Sequence, residues 1–419
     1  MRAVTFDVSV PRFLLAKSVG RISDSAFYGG LSGVRLEQVP LPPLPGDEWV
    51  RLRVLKAGIC GSDIGNLTYS ASPAMEPFGS FPAVLGHEIV AQVEEMGSGV
   101  RGLARGQRVT VDPMIHCRVR GWDDAHTCPS CRAGLHSTCE NAGEEGPLRV
   151  AGEPFAPGLT QGYHRTLAGG WGEEILAHRS QLFPVDDALE DHAAVLVEPL
   201  AVGMHAVLNA PPADPSHPVL VLGSGPIALG TVWALRATGF SGEIHAQTKR
   251  SHEARLARLM GASQVVSPGD EAREALIATG AQAYMPIVGD EVYAGGGFPL
   301  IYDCVGSGQS LSQAMRYAAP RGRIVMLGCA AEIPRLDLTF IWARELQVKG
   351  FVGYGTERFR GGETHTFRIT HDLLLETGTP VQEMVTHVYP LRQYREALGA
   401  AANRRKSGSV KVLLDPRVG

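Results

Sequence analysis

The chain has no excess of either charge: 39 Lys and Arg against 43 Asp and Glu leave a formal net charge of -4 over 419 residues. That balance excludes the basic footprint of a nucleic-acid or anionic-membrane binder. Small molecules and further copies of the chain remain as partners. The first residues carry no long apolar core, because Asp7, Arg12 and Lys17 interrupt it, so no signal peptide is expected. One long run without formal charge, Ser216 to Leu235, is broken by Gly223, Gly225 and Pro226, which suits a strand, a tight turn and a helix rather than a membrane span. The seven cysteines are an odd number clustered at metal-like spacing. They argue against a disulfide framework and for a reducing cytoplasm.

What the chain does have is enough length for two cores, since 419 residues exceed what one core usually supports. The first chemical feature is Cys60-Gly61-Ser62-Asp63, directly after the alternating run Trp49 to Val54. His87 follows in Gly86-His87-Glu88, and Glu198 stands in Val197-Glu198-Pro199. Thiolate, imidazole and carboxylate together suit a catalytic Zn²⁺. A second group, Cys117, Cys128, Cys131 and Cys139, has the donors for a closed structural zinc shell within a lobe of about residues 113–142. The ten-residue gap after Cys117 makes it the least secure ligand, with His126 and His116 as substitutes. The competing reading is a set of unligated thiols or a redox pair at Cys128 and Cys131.

Residues 1–59 read as β-rich, with strands expected at Met1 to Val8, Gly33 to Val39 and Trp49 to Val54. Ser9 to Leu31 has no clear period and is left without an element, and Glu140 to Ala168 reads as a long loop. Past a proline-rich connector, Pro218 to Leu222 has the fully apolar character of a buried parallel strand. It runs into Gly223-Ser224-Gly225-Pro226-Ile227-Ala228, a turn that brings backbone close to a pyrophosphate at a helix N-terminus. Strand and helix patterns then alternate to Phe351, which predicts an α/β fold with a doubly wound nucleotide domain. At the end of its second strand stand Gln247 and Thr248, followed by Lys249 and Arg250. With no carboxylate there to repel a 2′-phosphate, NADP is favoured over NAD; the other reading is a solvated basic turn.

These pieces, GICGSD (Gly58 to Asp63), GHE (Gly86 to Glu88), the four-cysteine lobe, VEPLAVGMHAV (Val197 to Val207), VLGSGPIAL (Val221 to Leu229), YDCVG (Tyr302 to Gly306) and GRIVMLG (Gly322 to Gly328), resemble the zinc-dependent medium-chain dehydrogenase/reductase family of alcohol and polyol dehydrogenases. The resemblance implies a discontinuous GroES-like β-rich catalytic domain, residues 1–199 and 354–419, and a Rossmann domain of residues 200–353, with the active site in the cleft between them. By the same carry-over, Cys60 and His87 are zinc ligands and Glu198 holds the third-ligand place. Glu88 either ligates or alternates with water and substrate, and Asp63 supports the shell from behind. The nucleotide would be held by Gly223, Gly225, Pro226, Ile227, Ala228, Gln247, Thr248, Lys249 and Arg250, and by Cys304, Val305, Gly306, Leu327 and Gly328.

The implied activity is hydride transfer between an alcohol or polyol, or the matching carbonyl, and a nicotinamide cofactor, by a dimer or tetramer. Ser62 would pass the alcohol proton outward, but Gly65 stands where many relatives carry the next relay histidine. The inserted stretches Arg118 to Thr127 and Glu140 to Ala168 also depart from the pattern, and Trp122 and Trp171 are wall candidates by position. Two other readings stay open: an aldehyde dismutase or formaldehyde dehydrogenase relative that retains its nucleotide, and a silent binding subunit.

Overall fold

The structure is a computed structural model that describes residues 1–20 and 22–418. The chain forms two compact units. One comprises Met1–Glu198, Tyr354–Leu375 and Met384–Gly419; the other comprises Pro199–Gly353 and Glu376–Glu383. The short segment Glu376–Glu383 is anchored in the second unit through Thr377, whose Oγ1 accepts from Trp233 Nε1 at 3.4 Å, and Glu383, which pairs with Arg255 at 3.0 Å.

The first unit is built on strand Trp49–Ile59, the centre of a seven-stranded sheet. Its alternation sends Val50, Leu52 and Val54 into the core, each worth about 1.5–3 kcal/mol on burial, while Arg51 and Arg53 face outward to Glu95 and Glu94. Strands Ile89–Met96, Glu174–His178 and Lys411–Asp415 all pair with it antiparallel. C-terminal residues are thereby threaded beside the Cys60 stretch. A separate three-stranded sheet joins Arg2–Phe6, Val34–Gln38 and Ala83–Val84. The unassigned N-terminal stretch contains a helix, Val10–Gly20, and a 3-10 turn, Asp24–Tyr28. The stretch read as a long loop holds a hairpin, Gly146–Val150 with Glu153–Phe155.

In the second unit, six parallel strands lie in the order Gln264–Val266, Ile244–Gln247, Val219–Leu222, Phe298–Asp303, Ala318–Met326, Gln347–Gly350. Numbered along the chain this is 3-2-1-4-5-6, the doubly wound arrangement expected of a dinucleotide fold. All four residues of Val219–Leu222 are buried, as a strand covered on both faces requires. Among the described residues no helix is long and apolar enough to cross a membrane.

Candidate functional site

Cys60 closes the central strand and caps helix Gly61–Leu67, and its backbone N–H donates to Asp63 Oδ2 at 2.8 Å. The cap fixes the thiol at the sheet end and keeps Asp63 wholly buried beside it. Cys60, His87 and Glu88 each offer a donor atom, and the three atoms lie within 4.8 Å of one another. Glu88 reaches this place only because residue 58 is glycine: a Cβ there would stand 1.7 Å from Glu88 Oε2. His87 Nδ1 is buried without a hydrogen-bond partner, 3.4 Å from Asp63 Oδ1. Burial disfavours protonation of this ring, yet Asp63 and Cys60 outweigh it and raise the His87 pKa well above the usual imidazole range. Anionic neighbours, an unpartnered ring nitrogen and mixed S, N and O donors fit a bound Zn²⁺.

Glu198 stands outside that three-residue group. It is buried, accepts from the Tyr354 hydroxyl at 3.0 Å, and has a pKa raised to about 7 by burial, with Glu88 adding and His87 and Lys411 opposing. Besides Tyr354, two more residues around these donors escaped the sequence reading. The buried Lys411 ammonium grips both oxygens of Glu88. Tyr163, from the long inserted stretch, donates to Asp63 Oδ1 at 2.7 Å with its hydroxyl 3.0 Å from Ser62 Oγ and its ring 5.3 Å from His87. Neither lies near its partners in sequence, so only the fold could reveal them. Trp171 is no wall residue: it is fully buried and donates from Nε1 to Gly58 O at 3.0 Å.

The four lobe cysteines converge, with their sulfurs within 4.8 Å of one another. Cys117 and Cys139 Sγ are 3.8 Å apart, the edge of a tetrahedron with Zn–S bonds of about 2.3 Å. Backbone N–H groups of Cys128, Cys131 and Glu140 point at cysteine sulfurs at 3.4 Å, as donors to thiolates do. Sharing with Cys131 pulls the Cys139 thiol down to about 6, while burial pushes Cys117 up to about 11. Four sulfurs packed this closely could all ionise only around a cation. The proposed substitutes are engaged elsewhere: His126 pairs with Asp123 and His116 with Ser180. Arg120, fully buried, ties the two inserted stretches together through the carbonyls of Ala142, Glu144 and Gly158.

In the nucleotide unit, Gly223 has φ +120° and Gly225 caps helix Pro226–Ala237, with Pro226 in its first turn, Ile227 next and Ala228 packed beneath. The loops holding Cys304, Val305 and Gly306 and holding Leu327 and Gly328 touch backbone to backbone. A Cβ on Gly328 would stand 2.2 Å from Gly306 N. All three turns follow the carboxyl ends of adjacent strands, where open parallel sheets bind nucleotides. Around the second strand's end, Gln247 exchanges amide bonds with Gln313 and Thr248 is buried. Lys249 is exposed, but Arg250 is paired with buried Glu253, whose Oε2 also accepts from Lys249 N at 3.3 Å. This corrects the expectation of a turn free of carboxylates: Glu253 lies one helical turn downstream, where linear reading of the strand end does not look.

The alcohol dehydrogenase GroES-like domain model matches residues 46–187, and the zinc-binding dehydrogenase model matches residues 226–366; together they span more than half of the chain. The chain is 25% identical to L-idonate 5-dehydrogenase of Vitis vinifera over 95% of this chain and 96% of that one. It is 27% identical to sorbitol dehydrogenase of Arabidopsis thaliana over 93% and 94%. Among solved structures, one described as a zinc-binding dehydrogenase from Sinorhizobium meliloti 1021, bound to NADP, superposes with a TM-score of 0.68 at 28% identity and 99% coverage of both chains. The chain belongs to the zinc-dependent medium-chain alcohol and polyol dehydrogenase family.

Proposed function

We propose that this oxidoreductase moves a hydride between an alcohol or polyol and NADP at a zinc held by Cys60 and His87, with Glu88 or Glu198 completing the shell. The observation that carries the reading is the convergence of Cys60, His87 and Glu88 donors above a buried Asp63. A zinc bound there supplies Lewis-acid stabilisation of an alkoxide, and the nicotinamide supplies the hydride acceptor. The chain's own residues do the rest. Asp63 orients His87 and the Cys60 backbone, and Lys411 grips both oxygens of Glu88 within the donor group. Ser62 takes the substrate proton, and the Tyr163 hydroxyl, 3.0 Å from Ser62 Oγ, offers it a hydrogen-bonding partner in a chain that has Gly65 in place of a relay histidine.

The exposed Lys249 supports NADP by offering a cation to a 2′-phosphate, and the NADP-bound relative supports the same choice. The gathered thiols support a reducing compartment such as the cytoplasm. The exposed edge strand Gln347–Gly350, with Trp342 and Val352 exposed nearby, supports a homo-oligomer joined at that edge. Initial rates over an alcohol and polyol panel test the reading, with NAD and NADP compared at equal concentration. A higher kcat/KM with NADP, reduced by Lys249→Ala, is expected; equal values in parent and variant reject the NADP choice.

A further inference from the structure

Asp112, His136 and His365 come from three separate elements of the first unit. Asp112 follows strand Arg108–Val111, His136 opens the 3-10 turn His136–Thr138 of the cysteine lobe, and His365 ends strand Gly362–His365. One donor atom from each lies within 4.8 Å of the other two. Independently, Asp112 Oδ2, His136 Nδ1 and His365 Nε2 are all buried without a hydrogen-bond partner. Asp112 itself is wholly buried, with Oδ1 satisfied by Met114 N at 2.8 Å, which leaves Oδ2 alone. Three orphaned polar atoms at one place are costly, because each loses its water without recompense.

We propose that these three residues bind a divalent first-row transition-metal ion, Zn²⁺ foremost, at a site separate from the Cys60 group and from the cysteine cluster. Two imidazoles and a carboxylate suit such ions better than Mg²⁺ or Ca²⁺, which prefer all-oxygen shells. Asp112 Oδ2 and His365 Nε2 stand 3.3 Å apart. Two ligands on a tetrahedral Zn²⁺ at about 2.0–2.1 Å are separated by about that length. The rings are held from their faces: His136 stacks on His116 at 4.1 Å and His365 on Phe183 at 4.6 Å. His365 Nδ1 accepts from Phe367 N at 3.2 Å, so ligation through Nε2 moves the ring proton to Nδ1 and gives up that long contact.

The ion bolts the cysteine lobe to the hairpin that follows Tyr354. Ser137, next to His136, accepts from Tyr354 N at 3.0 Å and donates to Tyr354 O at 2.8 Å, and the Tyr354 hydroxyl bonds Glu198. The inference does not depend on the proposed hydride transfer, since its readout is metal content.

The test is elemental analysis of the full chain after zinc loading and dialysis. The expected result is one equivalent beyond those removed by substituting Cys60 and the lobe cysteines, lost in His365→Gln and in Asp112→Asn while the other equivalents stay. His136→Gln, on a different element, gives the same loss and serves where another variant does not fold. Loss of the whole zinc content with the Cys60 and lobe-cysteine substitutions overturns the proposal, and leaves Asp112 and His365 as neighbours that hold no ion. Unchanged metal content in a folded His365→Gln chain overturns it equally.

Discussion

Lys411 and Glu88, 323 residues apart in sequence, form an ion pair in which both side chains are almost completely buried. Strand Lys411–Asp415 pairs with Trp49–Ile59 and delivers the ammonium to the sheet end where Cys60 and His87 stand. Burial works against the charge on Lys411, but Glu88 and Cys60 outweigh it and raise its pKa. Removing one member of such a pair strands the other. Lys411→Met is therefore expected to destabilise the zinc-free protein by about 3–5 kcal/mol, and by less when zinc is present to face Glu88. Urea unfolding with and without zinc measures the difference.

Tyr163 and Ser62 share a hydrogen bond beside Asp63. Tyr163→Phe removes a bond of about 1–1.5 kcal/mol, which corresponds to roughly a tenfold fall in kcat. Ser62→Ala is expected to cost on the order of 10²-fold as the proton acceptor is lost. Zinc content should be unchanged in both, and kcat with measured metal occupancy checks the pair. An unaltered kcat in Ser62→Ala would remove the proton role.

His164 is buried, bonds Ala156 O at 2.8 Å through Nε2, and accepts from Thr166 and Leu167 backbone N–H through Nδ1. Burial holds its pKa at about 3 instead of the ordinary 6.5. Above pH 6.5 both folded and unfolded chains carry a neutral ring, and the fold keeps its full stability. As pH falls toward 3 the unfolded chain takes up a proton that the fold refuses, so stability is lost. The expected loss at pH 5 is on the order of 2 kcal/mol. His164→Asn should flatten that dependence, as denaturant unfolding at pH 7 and pH 5 would show.

The cysteine lobe should depend on metal for its shape. Chelation, or Cys128→Ser, is expected to open residues 113–142 to proteolysis while the nucleotide unit resists, because the lobe loses the ligation that would join its four cysteines. Limited proteolysis with mapped cleavage sites checks this.

Much of the fold was legible because local chemistry sets it. The apolar Val219–Leu222 run meeting Gly223 and Gly225 has few other uses, and Cys128 and Cys131 carry their spacing openly. The helix Val10–Gly20 was not legible, since it buries only Ala16 and leaves Val10, Leu14 and Leu15 exposed. The hairpin at Gly146–Phe155 was hidden for a different reason: tertiary bonds from Arg120 pin its surroundings. Site residues brought in by distant strands or inserted stretches, Lys411 and Tyr163, leave no local signal. Glu253 was missed because it acts across a helical turn on Arg250.

In the proposed function, Cys60 and its neighbours hold the metal on which turnover depends. Nicotinamide reduction by the zinc-loaded parent and by Cys60→Ser, each with measured zinc content and an alcohol and polyol panel, tests it most directly. Reduction by the parent is expected and, in Cys60→Ser, loss of zinc with a fall in rate of about a thousandfold, the several kcal/mol that metal stabilisation of the alkoxide would supply. Turnover at the parental rate by a Cys60→Ser chain that has lost that zinc would contradict it.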